Sequence, residues 1–549
     1  MRTQFQSQYF DKNGERSNAD YRGFRTREGG VYFQDTWRVR PNFTLSYGLR
    51  WEYQSPPYEV NGQLSTLVDQ DPSQPTPPGG FRFQVVGKNS GTNNNLWQND
   101  VNNFAPRFGF NWSPSFETGL LSKLTGGPGR TSIRGGYGVF YDRVFGNLFT
   151  NAKGNPPFQQ DYFGIFFDTL DNIPDIPTLT ASPVVPAGAG IFPTLFALPG
   201  NNQFQSKFAT PYTQAWNFGF QRELSNGFLI EADYVGNKGT NLLRVIDGQL
   251  NSIPRVNAIT GSNCPISTSA NTNLFSGCSA LNDEFFQAAL NLSTGFSTYN
   301  AMQLRVTKTL NNKSIGLGQL QAAYTWSHSI DNAADALNAE AGERNFPRDS
   351  TGFTGGWNAE RGNSGFDVRH RFVFNYIYEA PFKFENTLAQ ALLGNWSMSG
   401  IYQVQSGNPF SIFSSSDSGG TGLSQRANYS PNPGQTPTIA NPRIQTGPTA
   451  NLFSNPVPPP AGSTHGVIGN VARNSFIGPN YSKFDLSLIK RIPFGPEDRM
   501  RFTVRADFFN LFNRVNFNQP INTITDPRFG QSTEAGPGRI IQFVGRFEF

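Results

Sequence analysis

The sequence predicts an all-β chain, an antiparallel transmembrane β-barrel of the outer-membrane type with long extracellular loops and short periplasmic turns. Three observations point there. Apolar and polar residues alternate with a period of two over many segments of strand length. Short and long connections alternate between those segments. The composition joins few charges to many rings: of 549 residues, 15% are charged and 14% aromatic, with 57 Gly, 39 Pro and 51 Phe, yet the mean hydropathy is −0.45. Soluble domains rarely combine so little charge with so many rings. No apolar run approaches the about 20 residues that a spanning helix needs, which excludes a helical membrane protein. A barrel escapes that requirement, because its strands need only turn one apolar face to lipid and one polar face to a wet lumen.

The clearest strand is Phe43 to Gln54. Phe43, Leu45, Tyr47, Leu49, Trp51 and Tyr53 share one face, and Thr44, Ser46, Gly48, Arg50, Glu52 and Gln54 the other. Rings at both ends suit the two interfaces of a bilayer better than the exterior of a soluble sandwich. Ahead of it stand Val31 to Val39 and a weaker alternation, TQFQSQYF, from Thr3. After it come Phe104 to Trp112, Ile133 to Tyr141, Tyr212 to Phe220, Phe228 to Tyr234, Met302 to Val306, Leu320 to Trp326 and Phe372 to Tyr378. Trp396 to Gln405, Phe484 to Lys490, Phe502 to Phe508 and Ile541 to Phe549 complete the series. The count is about fourteen strands of the roughly 9 to 11 residues that a tilted membrane strand requires.

The connections give each strand a direction. Short ones are RPN at Arg40, SNG at Ser225, LNNKSIGLG from Leu310 and IPFGPEDR from Ile492, with medium ones after Pro114 and Glu379. Long ones run from Ser55 to Asn102, Val144 to Thr210, Asn237 to Thr298, His328 to Val368, Ser406 to Tyr481 and Phe512 to Ile540. Short periplasmic turns alternating with long outer loops is the barrel layout. The long segments are rich in Asn, Ser, Gly, Pro and Thr. They are expected to fold over the mouth, where binding occurs, although the Ser406 to Tyr481 segment also has the composition of partial disorder. Residues 1–549 are read as one barrel domain.

Candidate chemistry is sparse. His328, His370 and His465 sit in separate segments without a second ligand at metal spacing. No nucleophile elbow or phosphate-binding glycine loop occurs, so no cofactor, no metal and no enzymatic activity is expected. Asp367, Arg369 and Arg371 alternate opposite Phe366, Phe372 and Phe374, and Arg50, Arg107, Arg134, Arg305, Arg505 and Arg546 hold similar positions on the polar face. A charge facing lipid costs about 2 to 4 kcal/mol near the midplane. These residues are therefore read as lumen-facing, either an inter-strand ion ladder or a polar lining that guides a solute or holds an inserted plug. Cys264 and Cys278 lie in one polar stretch. They read as a local disulfide, worth roughly 3 kcal/mol for a loop of about 15 residues, or as two free thiols. The net charge of +5 is scattered, which gives nucleic-acid binding no support.

The chain ends on alternating Ile541, Phe543, Gly545, Phe547 and Phe549. That resembles the terminal strand signal read by the outer-membrane barrel assembly machinery; the alternative is an ordinary edge strand. The first residues lack a basic segment followed by an apolar one, so no signal peptide is read, and the chain is expected to begin inside a longer protein.

Taken together, VYFQDTWRVRPNFTLSYGLRWEY, LQAAYTWSHSIDNA, FDVRHRFVFNYIYEAPF, YQVQSGNPFSI and RADFFNLFNRVNFNQP resemble the barrel portion of TonB-dependent outer-membrane receptors of the Oar-like group. The resemblance implies a barrel of about 22 strands, roughly eight of them missing, with signal peptide, TonB box and plug also outside this sequence. It implies outer-membrane lipid as solvent, the TonB complex as a partner reached only through the missing N-terminal part, and an unidentified solute as cargo. A self-closed passive pore of about fourteen strands, a surface adhesin and, more remotely, an outer-membrane hydrolase are the alternatives.

Overall fold

The computed structural model describes residues 2–10, 16–17, 21–68, 82–88, 95–155, 158–166, 200–205, 207–247, 287–312, 314–333, 360–414, 426–429, 453–454, 469–494 and 500–549. Cys264, Cys278 and His465 lie outside the described residues.

Alternation becomes architecture through pairing. Thirteen strands follow one another in both chain order and sheet order: β1 (Glu28–Arg40), β2 (Phe43–Gln54), β3 (Asn103–Trp112), β4 (Thr131–Tyr141), β5 (Tyr212–Leu224), β6 (Phe228–Asp247) and β7 (Gln287–Asn312) form the first part. The path continues through β8 (Gly316–Asp331), β9 (His370–Glu379), β10 (Trp396–Gln405), β11 (Tyr481–Phe494), β12 (Met500–Phe509) and β13 (Ile540–Glu548). Two short strands lie off this path: Gly200–Phe204 pairs in parallel with β7, and Gly362–Asn363 pairs with β8. All neighbours on the path are antiparallel, so sequential hairpins suffice to build the sheet.

The register matches rings to rings. Leu45 faces Phe110 and Tyr47 faces Phe108, Tyr137 faces Trp216, Tyr234 faces Phe218, and Phe374 faces Tyr402. One apolar surface therefore runs unbroken from β1 to β13, and a polar surface runs behind it. The ring surface is open: Phe33 is 64% exposed, Phe218 53% and Phe543 74%. An apolar area of that extent far exceeds the patches that soluble monomers leave in water, and it fits lipid as its solvent. No helix among the described residues is long and apolar enough to cross a membrane, as expected for a chain that crosses with strands. One carboxylate, Asp35, sits on the ring surface, where Tyr47 Oη donates to it at 3.0 Å.

Three expectations are corrected. Among the described residues the wall path holds thirteen strands, of the about fourteen expected. The weak TQFQSQYF segment lies in Arg2–Phe10, which joins a separate three-stranded sheet with Gln159–Phe166 and Arg16–Ser17; period-two alternation marks any half-covered strand and does not name its partner. β6 and β7 run well past Tyr234 and back before Met302, pairing as far as Asp247 with Ala289 through two register shifts, so part of the expected long loop is strand. Asp367 and Arg369 precede β9 in a turn, where Asp367 N–H donates to Ser364 O at 2.9 Å, and only Arg371 lies within the strand.

Apolar packing sits at the long-loop end, beyond the wall. One cluster gathers Leu64, Val86, Leu96, Trp97, Leu148, Ala152, Phe204 and Phe208. A second gathers Phe410, Ile412, Ala427, Phe453, Val471 and Phe476. The outer segments thus form two small folded blocks, each with its own core. The turn end carries two short helices, α1 (Gly119–Thr125) between β3 and β4 and, between β9 and β10, a helix at Thr387–Leu393.

Candidate functional site

The polar surface of the sheet is laced by ion pairs. Arg134 on β4 faces Gly219 on β5, which in turn faces Asp233 on β6. With no side chain at Gly219, the guanidinium crosses β5 and reaches Asp233 at 3.2 Å and Glu231 at 3.9 Å. A Cβ at Gly219 would land on Asp233 Oδ1 and crowd Arg134. Glu231 also binds Arg305 on β7 at 3.2 Å, so one chain of charges spans four strands. Arg50 pairs with Glu52 and lies over the Tyr32 ring at 5.9 Å. Arg505 pairs with Asp507 at 2.7 Å, Lys483 with Asp485 at 2.9 Å, Arg491 with Glu379 at 3.2 Å, and Arg546 with Glu548 at 3.0 Å. Charges on a partly hydrated wall pair at modest gain and keep the surface polar.

Two of the expected arginines stand apart. Arg107 stacks over Phe140 at 4.7 Å, and Arg371 has no ion-pair partner among the described residues. Of the Asp367, Arg369 and Arg371 trio, the structure brings together only the first two, at 3.4 Å. Asp367 is buried and accepts the Ser329 N–H at 2.7 Å, so its first task is to hold the turn before β9 against β8.

The outer mouth holds charges that periodicity did not find. Arg426 grips Glu360 with both terminal nitrogens, each at 2.7 Å, and donates through Nε to Val471 O at 2.9 Å. Arg473 lies 2.6 Å from Asp331 Oδ1 at the end of β8 and donates to the Asp331 carbonyl at 3.1 Å. Arg244, past the point where β5 stops pairing with β6, is fully buried near them. Burial pushes its guanidinium down to about 10, Glu360 opposes that shift, and Arg473 adds to it. It remains cationic at neutral pH. Asn474, Asn363 and Ser411 fasten the same region: Asn474 Nδ2 donates to Asn363 O at 2.8 Å and Asn474 N to Ser411 Oγ at 2.8 Å. His328 Nε2 meets Asn363 Oδ1 at 2.9 Å, and His370 Nδ1 meets Tyr324 Oη at 2.8 Å.

In the other block a buried carboxylate gathers backbone donors. Glu59 has no exposed surface, and its oxygens accept N–H bonds from Gly23, Asn61 and Gln63 at 2.9, 2.8 and 2.7 Å. Trp97 packs on Phe204 and Phe208 with ring centroids 5.0 Å from each. None of Glu59, Arg244, Glu360, Arg426 or Arg473 was expected from the sequence. They sit in aperiodic segments, where no spacing signals a partner.

A family model described as an outer membrane beta barrel domain matches residues 3–542. No curated protein matches the chain. Among solved structures, the outer membrane transporter YddB from Escherichia coli is similar at 10% identity and a TM-score of 0.46, covering 99% of this chain and 48% of its own. The ferripyoverdine receptor of Pseudomonas aeruginosa gives 12% identity and 0.40, covering 98% and 40%. The copper transporter OprC gives 10% and 0.38, covering 95% and 48%. The chain spans half or less of the length of each of these.

Proposed function

The chain belongs to the outer membrane beta barrel domain family, and from that membership we propose that it forms the wall and outer mouth of a receptor that takes up a polar solute across the bacterial outer membrane. The observation that carries this is the pairing of a continuous polar wall with two folded blocks at one end only. A loop that merely joins strands needs no core of its own. The outer segments of this chain have two cores, with Glu59, Glu360 and Asp331 buried among their donors, which is the rigidity that positioned binding surfaces require. The arginines of the polar surface line the lumen in this reading, and Arg107 and Arg371 offer cationic contacts to a passing solute. Catalysis has no part in it.

The wall is one part of the device. β1 and β13 each have one neighbour among the described residues, and no pairing joins them. Thirteen antiparallel strands leave both edges running the same way, from the outer end to the turn end. Antiparallel closure therefore requires an odd number of further strands, since open edges cannot face lipid. A self-closed pore would need a further strand beside the thirteen on the path among the described residues. In this reading a plug and TonB-contacting segment, supplied from elsewhere in the whole protein, gate the lumen and couple it to energy. The β13 strand with Phe549 behind it serves as the insertion signal for the barrel assembly machinery.

Solute depletion from a defined medium tests the proposal. Cells producing the whole protein are expected to remove a polar solute that deletion cells leave, and a protonophore is expected to abolish the difference. Depletion that persists with the protonophore would make it a passive pore. No depletion of any solute, with surface binding intact, would make it an adhesin.

A further inference from the structure

Neither the ion ladder nor the outer mouth uses the two helices at the turn end. α1 exposes Leu120 at 72%, with Leu121 and Leu124 also exposed. The Thr387–Leu393 helix, α2 below, exposes Leu388 at 70%, with Leu392 and Leu393. No residue of α1 is buried. Burying apolar side chains is favourable, so six such leucines left in water would be a persistent penalty.

The tethers of the helices say what covers them. Arg222 donates to the carbonyls of Lys123 and Leu124 at the end of α1, the first at 3.1 Å. Arg222 faces Ile230 and Thr131, two residues from Phe220, so it belongs to the ring surface. At α2, Trp396 Nε1 donates to Leu392 O at 3.0 Å and Lys490 Nζ to Gly394 O. Trp396 and Lys490 face each other, with the ammonium 5.4 Å from the indole centroid, and they too lie on the ring surface. Both helices are thus fastened from the lipid side of the wall, and their leucines extend the apolar band that lipid already covers.

Charge agrees with that placement. Among the described strand residues, the charged side chains of the ring surface at the turn end are Arg40, Arg222, Lys308 and Lys490; Lys308 also lies 4.3 Å from the Phe228 centroid. Lys490 is buried and holds the end of α2, while long cationic side chains such as Arg40 and Arg222 at the edge of the ring surface suit the headgroup level of a bilayer. An apolar helix face set between such cations suits the boundary just beneath it.

We propose that α1 and α2 lie in the periplasmic leaflet of the outer membrane, their leucines among phospholipid acyl chains, with Arg40 and Arg222 at the level of the phosphates. They act as two feet that set the depth of the wall. The proposal does not depend on what the barrel carries.

Spin labels test it in outer membranes containing the whole protein with Cys264→Ser and Cys278→Ser. Labels at Leu121→Cys and Leu392→Cys are compared with Phe218→Cys, mid-band on the ring surface, and Tyr21→Cys, 86% exposed at the outer end. Collision with oxygen relative to a water-soluble nickel chelate is expected to be shifted at both helices towards the Phe218 value. A ratio equal to that at Tyr21 would place the helices in water and overturn the proposal. Exclusion of both reagents would reveal a protein cover and overturn it equally. Should either label prevent folding, Leu120→Cys and Leu388→Cys provide the same comparison.

Discussion

At the scale of single residues, polar contacts divide into those the alternation announces and those it cannot. Arg134 and Arg305 are legible on the polar face because each falls out of step with a period-two series of apolar residues, Ile133 to Tyr141 and Met302 to Val306. The space that lets Arg134 cross to Asp233 depends on Gly219 in a strand more than eighty positions away, and only the register reveals it. Gly219→Val is expected to destabilise the wall by about 1 to 3 kcal/mol, the usual effect of overpacking. Urea unfolding from bilayers measures it; an unchanged midpoint would mean the charge chain is not tightly held. Arg426→Ala would leave Glu360 buried without its bidentate partner, a loss of about 3 to 5 kcal/mol when one member of a buried pair is removed. Because the pair lies in an outer block, hydrogen exchange at residues 471–474 should report it first. Protection equal to that of the unmodified protein would contradict the assignment.

At the scale of elements, pattern was a good guide to existence and a poor one to extent and partner. Trp396–Gln405 and Phe43–Gln54 appear with the bounds that alternation suggested, since each turns every second side chain to lipid along its whole length. β6 and β7 run on past the bilayer, where the ring pattern stops but backbone pairing continues. Arg2–Phe10 alternates as well and yet pairs outside the wall. Periodicity reports a two-faced strand; it carries no information on what lies against either face. One residue inserted between Gly400 and Ile401 would turn Tyr402 and Val404 to the polar surface, and is expected to abolish the protease-resistant folded form in outer membranes. The same insertion after Gln531, in the β12–β13 loop, should be tolerated. Equal tolerance at both sites would argue against a fixed register in β10.

At the scale of the whole molecule, the two surfaces of the sheet are the central claim, since lipid contact, a polar passage and the need for added strands all follow from them. The sequence made both surfaces legible. The outer blocks were not, because Arg244, Glu360, Arg426 and Arg473 gather across long intervals of chain without a repeating pattern, and Glu59 binds backbone N–H groups in a turn that no alternation marks. The most direct test sets one charge against each surface at matched depth: Phe218→Arg at the middle of β5 on the ring surface, and Ile401→Arg at the middle of β10 on the polar surface. Folding equilibria in phospholipid bilayers should show a loss of about 2 to 4 kcal/mol for Phe218→Arg, the cost of a cation facing lipid near the midplane, and little change for Ile401→Arg. Equal losses, or a larger loss at Ile401, would contradict the account.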